Sequence, residues 1–455
     1  SSNQSPAYLA AKFINHTGQN VFLTGKAGTG KTTFLRSIVQ NTHKRCVVAA
    51  PTGIAAINAG GVTLHSLFQL PFGSFIPENI PQPQLHYSKV NTPHSLVREV
   101  KLTTQKRGLL RELELLIIDE VSMLRADLLD AIDVLLRSVR RNQSAPFGGV
   151  QILFIGDLLQ LPPVVKEEEW AMLHDYYDTP FFFSALVMKE SNFRNIEFSH
   201  IYRQSDEKFI RLLNKVRNNE MDEDGFALLN SRFNASFQPA KDDGYITLTT
   251  HNFKADAINA EQLGKLQEKA EAYKANVTGE FYEKSFPAEE MLQLKVGAQV
   301  MMIKNDVEKK YFNGKIGLVT RLEKETVYVQ CKDEPFAIEV KKEKWENIRY
   351  TLNQSSQQVD EDVMGTFEQF PLRLAWAITI HKSQGLTFEK AVIDAGAAFA
   401  SGQVYVALSR CTTVNGIVLK SQITNNGLKN DWTKARFACL TKSLSGSFCE
   451  SIFVP

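Results

Sequence analysis

The 455-residue sequence lacks most of the features that assign a protein by composition. Its five cysteines (Cys46, Cys331, Cys411, Cys439 and Cys449) are scattered, with no CxxC pair. That argues against a disulfide framework or a zinc site and fits a reducing compartment. Charge of one sign is also missing: 52 basic residues face 50 acidic ones, for a net charge of +2. Any nucleic-acid groove must therefore come from local clustering. No apolar run reaches membrane-spanning length, and the N-terminus lacks the basic-plus-apolar pattern of a signal peptide. Internal repeats and long low-complexity tracts are absent too. The sequence starts at Ser1 without Met, so we expect an upstream piece to have been removed. Hydrophobic residues at 43% and charged ones at 22% are ordinary for a globular protein. The length suggests about three domains.

What is present is organised around Gly25-Lys26-Ala27-Gly28-Thr29-Gly30-Lys31-Thr32. The loop follows the apolar run Val21-Phe22-Leu23 and leads into Thr33-Phe34-Leu35. Strand, glycine-rich turn, helix is the order a phosphate loop needs. The glycines let consecutive N–H groups point inward at phosphate oxygens, and the helix N-terminus adds partial positive charge there. Lys31 is placed to reach the β- and γ-phosphates, and the Thr32 hydroxyl to ligate magnesium.

Further along, Arg45 to Pro51 reads as a second buried strand ending at Thr52-Gly53. Residues 69–107 break the rhythm with five prolines, scattered aromatics and a basic end, and are expected to form an insertion with little regular structure at its start. The rhythm resumes with Leu115-Leu116-Ile117-Ile118, which delivers Asp119-Glu120, and with Gln151 to Asp157. Short apolar strands alternating with helices predict a parallel sheet covered on both faces, with ligands beyond the carboxyl ends of its strands. A second such set follows at Tyr245–Thr250, Ala391–Asp394 and Gly416–Leu419. Between its members, β-type runs across 295–350 suggest an inserted small barrel.

A lone Asp-Glu pair is usually a solvated strand end. Downstream of a phosphate loop it reads differently: Asp119 would hold magnesium and Glu120 would orient the attacking water, so the pair implies hydrolysis as well as binding. Gln160, in Gly156-Asp157-Leu158-Leu159-Gln160-Leu161-Pro162-Pro163, either senses the γ-phosphate or is a surface residue of a proline-bounded loop. Arg203 and Arg410 are candidates to complete the site from elsewhere, although by composition alone each would be a salt-bridged surface arginine.

Seven stretches occur in a fixed order: 25–32, 50–56, 117–122, 155–163, 201–204, 377–385 and 405–410. Together they resemble the motifs of superfamily-one helicases, and most closely those of the Pif-one (petite integration frequency) branch of DNA helicases. Residues 198–217 are similar to that branch's own signature. The resemblance spans about residues 20–420 and is specific, because ordered motif sets do not arise by chance.

That resemblance implies an α/β fold of two RecA-like P-loop domains in tandem with ATP between them. The first (1–68 and 108–192) would carry the wedge or pin region 69–107. The second (193–294 and 366–430) would carry an SH3-like barrel at 295–365, with 431–455 as a C-terminal extension. It also implies ATP- and Mg2+-dependent 5′-to-3′ translocation on single-stranded DNA and unwinding of duplexes, G-quadruplexes and DNA–RNA hybrids in replication, repair and recombination. The protein would be monomeric when free, with DNA-induced association and single-strand-binding partners as further expectations. A cytoplasmic, nucleoid-associated location is expected by resemblance to the short N-terminal lead of bacterial members, or a nuclear or mitochondrial one if the source is eukaryotic.

By motif position, Gln160 becomes the γ-phosphate sensor and Arg203 and Arg410 the arginine fingers. Gly25, Ala27, Gly28, Thr29, Gly30, Lys31, Thr32, Thr33, Asp119 and Gly385 join them around the nucleotide. Relatives often read adenine with a Gln shortly before the phosphate loop. Tyr8 falls near that place here and Gln4 about a turn earlier, which leaves ATP-over-GTP selectivity open. A translocase holds phosphates without reading sequence, so hydroxyls, amides and a few cations suffice. The candidates are Pro51, Thr52, Thr63, His65 and Phe68 in the first domain, and His251, Asn252, Thr379, His381, Lys382 and Ser383 in the second. Phe68, Phe72 and Phe75 could offer aromatic faces to bases. The competing readings are a RecD-like or relaxase-type motor of the same superfamily, an ATP-dependent binding switch, and a phosphate-loop kinase. The signature at 198–217, the Glu120–arginine set and the absence of any phosphoacceptor site disfavour them in turn.

Overall fold

In a computed structural model the described residues are 5–26, 28–79, 89–199, 206–218, 220–240, 243–394 and 403–424. They form two compact units, one holding the described residues up to 199 together with Ile348–Val363, the other holding 206–347 and 364–424.

The first unit opens with helix α1 (Pro6–His16), started by Ser5, whose hydroxyl accepts from the Tyr8 N–H, and by Pro6 at the first helical position. Strand β1 (Asn20–Gly25) is buried along its whole length and leads through the glycine loop into α2 (Lys31–Asn41). Next come β2 (Cys46–Ala50), α3 (Gly53–Ala59), β3 (Val62–Thr63) and α4 (Leu64–Phe68). In the 69–107 stretch the described start holds only the two-residue β4 (Ser74–Phe75), while β5 (Val90–Asn91), α5 (Pro93–Glu99) and the start of α6 (Thr104–Glu112) follow from residue 90 on. Strand β6 (Leu115–Ile118), helix α7 (Ala126–Arg140), strand β7 (Gln151–Ile155), helices α8 (Glu167–Leu173) and α9 (Leu186–Glu190), and strand β8 (Phe193–Phe198) complete it.

Six strands form one parallel sheet in the order β3-β2-β6-β7-β1-β8. Its two faces pack separate cores, Phe22, Leu116, Ile118, Ile152 and Phe154 on one side and Val21, Leu23, Ile117, Leu153 and Ile155 on the other. The even-odd split is what a strand buried on both faces requires, and it explains the uninterrupted apolar runs.

Two expected boundaries are corrected. Strand β8, assigned to the second domain from sequence, belongs to the first sheet: it pairs with β1 from Asn20↔Phe193 to Gly25↔Phe198. Its half-polar sequence, Phe-Arg-Asn-Ile-Glu-Phe, fits an edge position with one face less covered. The barrel was expected to run to 365, yet the outer part of the hairpin formed by Glu343–Leu352 and Val359–Gln369, residues Ile348–Val363, clusters with the first unit. Tyr350 is buried in that unit's core, with Ile348 and Val359 packed against it.

Beside this hairpin segment, α6 carries the buried Lys106, pushed down to about 8 by burial and by the nearby Arg349. A lysine depressed in the folded state binds its proton more tightly when unfolded, so stability rises with pH between about 8 and 10.5. Below that window the native state bears the cost of a buried ammonium. Lys106→Met is therefore expected to stabilise the first unit by about 1–2 kcal/mol at pH 7. The gain should fade above pH 10, and chemical denaturation at the two pH values reads the difference.

The second unit holds a four-stranded parallel sheet in the order 377–379, 246–249, 391–394, 417–419. Beside it in sequence, 338–340, 327–330, 316–322, 299–302 and 372–374 make a five-stranded antiparallel sheet. Tyr273, Leu292 and Leu294, from a strand pair preceding that sheet, share its core with Val300, Met302, Val319 and Val329. Among the described residues no helix is long and apolar enough to cross a membrane.

Candidate nucleotide and nucleic-acid sites

The phosphate loop sits beyond the carboxyl end of β1. Gly28 and Gly30 have φ of 80° and 89°, a left-handed backbone that a Cβ would strain, and Gly30 starts α2 in that conformation. The Lys31 ammonium donates to the Gly25 and Lys26 carbonyls at 2.7 and 2.9 Å, and the Thr29 hydroxyl donates to Lys26 O at 2.9 Å. Thr32 and Thr33, in the first turn of α2, are exposed. Ala27 lies outside the described residues.

Two sheet positions away, β6 delivers Asp119 and Glu120. The Asp119 amide continues the ladder by donating to Ala49 O at 2.9 Å, and its carboxylate accepts the Glu120 N–H at 2.9 Å. Glu120 adopts φ 52°, an uncommon conformation for a side-chain-bearing residue, and thereby turns the chain sharply at the strand end. Burial and the adjacent Glu120 push the Asp119 carboxyl up to about 7, against the pull of the Glu120 N–H and Lys31. Two adjacent carboxyls at a partly buried strand end and the exposed Thr32 hydroxyl at the start of α2 are hard oxygen donors, so the residues fit Mg2+. Between β6 and β1, strand β7 leads into Gly156, whose N–H donates to Leu23 O at 3.1 Å. Asp157 is buried and accepts the Leu159 N–H at 3.1 Å, and its carbonyl accepts from the N–H of the buried Gln160. Gln160 is thus fixed in the protein interior at the carboxyl edge, not free on a surface loop.

The expected DNA contacts divide. Thr52 and Thr63 cap α3 and α4, each hydroxyl oxygen accepting a backbone N–H from Ala55 and Ser66, which leaves the hydroxyl hydrogen as the part that can turn to a phosphate. Pro51 precedes them, half-buried. His65 is held below its ordinary value by burial and by Arg125, with Asp127 opposing, and His381 by burial and Lys382. Both are therefore neutral at pH 7 and offer hydrogen bonds without a charge. Phe68 and Phe75 are corrected: at 0% and 3% exposure they are core residues, whereas Phe72 is 83% exposed. An amphipathic α4 must bury one face, and Phe68 lies on it.

In the second unit, His251 and Asn252 are exposed at the start of the helix Asn252–Lys265. Thr379 is buried and its hydroxyl accepts the Lys382 N–H at 3.2 Å. Ser383 is buried as well and donates to Ile380 O at 2.7 Å, so its side chain is turned inward, away from an exposed phosphate. Gly385 follows with φ 77°. Lys382 is lowered by burial and by Arg373. Arg410 is only 1% exposed and donates to Val406 O at 3.1 Å and to Ser409 Oγ at 3.1 Å, with longer contacts to Ser383 O and Leu386 O. Within its own unit this arginine is a buried organiser of the 383–386 turn. Arg203 and Gln4 lie outside the described residues. Tyr8 is half exposed, with the Lys12 ammonium 5.4 Å from its ring centre.

Sequence reasoning missed a buried ionic cluster beside α4, formed by Arg125, Asp127, Glu169 and Ser74. No local signal could have found it, since its members come from three separated segments.

A parallel sheet whose carboxyl edge carries both a phosphate loop and an Asp-Glu strand end defines a phosphate-loop nucleotide hydrolase. The family model for PIF1-like helicases matches residues 1–225, and that for the 2B domain of DNA helicase Pif1 matches 282–322. The chain is 32% identical over 421 residues to the ATP-dependent DNA helicase Pif1 of Campylobacter jejuni, covering 88% of this chain and 89% of that one. With the Danio rerio protein named ATP-dependent DNA helicase PIF1 the identity is 34%, and the match covers 88% of this chain but 58% of the longer fish protein. Among solved structures, Bacteroides Pif1 in complex with ADP-AlF4 is 44% identical with a TM-score of 0.86, covering 96% of this chain and 97% of that one. Bacteroides Pif1 bound to ssDNA, at 42% identity and the same coverage, gives 0.65. The chain belongs to the PIF1-like helicase family and is a helicase enzyme.

Proposed function

We propose that this chain is an ATP-dependent DNA helicase that translocates 5′-to-3′ on single-stranded DNA and separates duplex strands ahead of it. The observation that carries the reading is the Lys31 loop and the Asp119-Glu120 strand end at the carboxyl edge of one sheet, two strand positions apart, in a chain whose bacterial relative bears the name ATP-dependent DNA helicase. Lys31 neutralises the developing charge on the β- and γ-phosphates, Glu120 orients and polarises the attacking water, and Gln160 reports loss of the γ-phosphate. Thr32 and Asp119 are the residues that would hold Mg2+, which supplies charge neutralisation across the phosphates. Arg203 and Arg410 act as arginine fingers in this proposal. For Arg410 that role requires its guanidinium to exchange the intramolecular acceptors described above for phosphate oxygens. Thr52, Thr63, His65, His251, Asn252, Thr379, His381 and Lys382 grip the DNA backbone without reading sequence.

Residues 69–107 supply the strand-separating wedge, and the antiparallel sheet at 299–374 corresponds to an SH3-like module. The likeness to Bacteroides Pif1 bound to ssDNA and to forked DNA supports these substrates. In this proposal G-quadruplexes and DNA–RNA hybrids are further substrates. The test is ATP-dependent unwinding of one duplex carrying either a 5′ or a 3′ single-stranded tail. We expect unwinding only with the 5′ tail. Unwinding only with the 3′ tail would reverse the polarity, and DNA-stimulated hydrolysis without unwinding of either would make the chain a binding switch.

A further inference from the structure

The Arg125 cluster serves neither the phosphate loop nor the hydrophobic core, and it converges on one short turn. The Arg125 guanidinium donates to Asp127 through Nε and Nη2, both at 2.9 Å, to Glu169 through Nη1 at 3.1 Å, and to Ser74 Oγ through Nη2 at 3.1 Å. Ser74 in turn donates to Glu169 at 2.9 Å, and Asp127 accepts the Phe75 N–H at 3.0 Å. Ser74 and Asp127 are essentially buried. A buried ion cluster seldom adds net stability over an apolar one, but it does fix geometry, because any displacement leaves a charge unpaired.

What it fixes is the segment from Pro71 to Ile76. From the other side, Asn91 donates its side-chain amide to Phe72 O at 3.2 Å, Ser74 N–H donates to Lys89 O at 3.1 Å, and Ile76 N–H donates to Asn91 O at 2.9 Å. Gly73, at φ 109°, approaches so closely that a Cβ there would stand 2.0 Å from Lys89 O. The backbone on both sides of Phe72 is thus tied down, while its ring is 83% exposed and stacked against His65 at 6.4 Å between centroids. A large apolar ring held out on an immobilised turn adds little to the core, and an aromatic face of this kind suits stacking against a nucleobase. Arg125 is five residues beyond Glu120, joined to it by the single turn Val121–Met123.

We propose that Arg125 is a positioning residue for strand separation: with Asp127 and Glu169 it clamps Ser74 so that the Phe72 ring is presented as a rigid edge to the terminal base pair. This rests on the helicase reading above. Arg125 acts through Phe72, so its loss uncouples unwinding from ATP turnover without slowing the turnover itself.

The experiment measures, for the full chain, ATP hydrolysis stimulated by single-stranded DNA and unwinding of a 5′-tailed duplex. Phe72→Ala should slow unwinding about tenfold, the size of one lost base-stacking contact. Arg125→Gln should slow it to a similar degree while hydrolysis stays within about twofold of the parent. The decisive arm is the double variant: if Arg125 works through Phe72, adding Arg125→Gln to Phe72→Ala changes unwinding no further. Ser74→Ala, which removes a single hydroxyl, supplies the same comparison with a smaller loss should Arg125→Gln fail to fold. Multiplicative losses in the double variant, hydrolysis falling in step with unwinding, or unchanged unwinding in folded Phe72→Ala would each overturn the proposal. A parent chain that hydrolyses ATP but separates neither tailed duplex overturns the helicase reading itself, and this inference with it.

Discussion

Lys31→Ala is expected to lower DNA-stimulated ATP turnover on the order of a thousandfold and to abolish unwinding with it, while the melting profile stays unchanged. The two halves of that expectation have separate physical origins. In the proposed mechanism Lys31 meets the charge that develops on the transferring phosphoryl group, and a preorganised cation in a partly buried loop cannot be replaced by water without reorganisation. Stability is a different matter. The ammonium donates to the loop carbonyls Gly25 O and Lys26 O, while the loop's conformation is secured independently by Gly28 and Gly30. Removing Lys31 also withdraws the cation that draws the Asp119 carboxyl downward, so that carboxyl should rise further above its ordinary value. Coupled-enzyme ATPase rates, with calorimetry on the same preparation, check both halves. A folded variant that still unwinds would remove this loop from the mechanism.

How far the sequence could be read follows from how local each feature is. The phosphate loop was legible because its chemistry lies in eight consecutive residues between a strand and a helix. Asp119-Glu120 was legible for a related reason, as four fully buried residues, Leu115 to Ile118, announce a strand whose end must emerge at the ligand edge. Strand β8 was misplaced because its partner, β1, lies far back in the chain. Nothing in Phe-Arg-Asn-Ile-Glu-Phe tells an edge strand of one domain from the lead into the next. The three phenylalanines at 68, 72 and 75 look alike as letters. Only the packing of α4 and β4 separates two core rings from one exposed ring.

The Arg125 cluster illustrates the same limit for charge. Arg125 and Asp127 are two apart, a spacing that does not face side chains together within a helix, and their other partners, Ser74 and Glu169, come from elsewhere in the chain. Sequence therefore shows them as an ordinary charged helix start. Arg410 shows the limit from the other side. Its motif implies a residue reaching for phosphate, and the structure describes a guanidinium satisfied inside its own unit. The finger role proposed for Arg410 requires that guanidinium to trade these acceptors for phosphate oxygens, which would make it a two-state element.

Glu120→Gln separates binding from chemistry most cleanly. The amide keeps the size and shape of the carboxylate but cannot polarise a water, so kcat should fall about a hundred- to a thousandfold. Nucleotide affinity should hold or improve, because one of two crowded negative charges next to the triphosphate is gone. Asp119 reports the same relief: Glu120 is the second-largest cause of its upward shift to about 7, so its carboxyl should move back toward the ordinary range. Fold stability is not expected to suffer, since Gln meets the φ of 52° at this position on the same terms as Glu and the crowding is reduced. The chain should then remain in its ATP-bound state and hold single-stranded DNA longer than the parent does. Rapid-quench turnover with equilibrium binding of a labelled nucleotide and a labelled oligonucleotide reads all three quantities. A kcat within about tenfold of the parent would mean that another group orients the water. Lost nucleotide binding would mean that Glu120 belongs to the binding site and not to the chemistry, and either result would reassign the strand end that the Leu115–Ile118 run delivers.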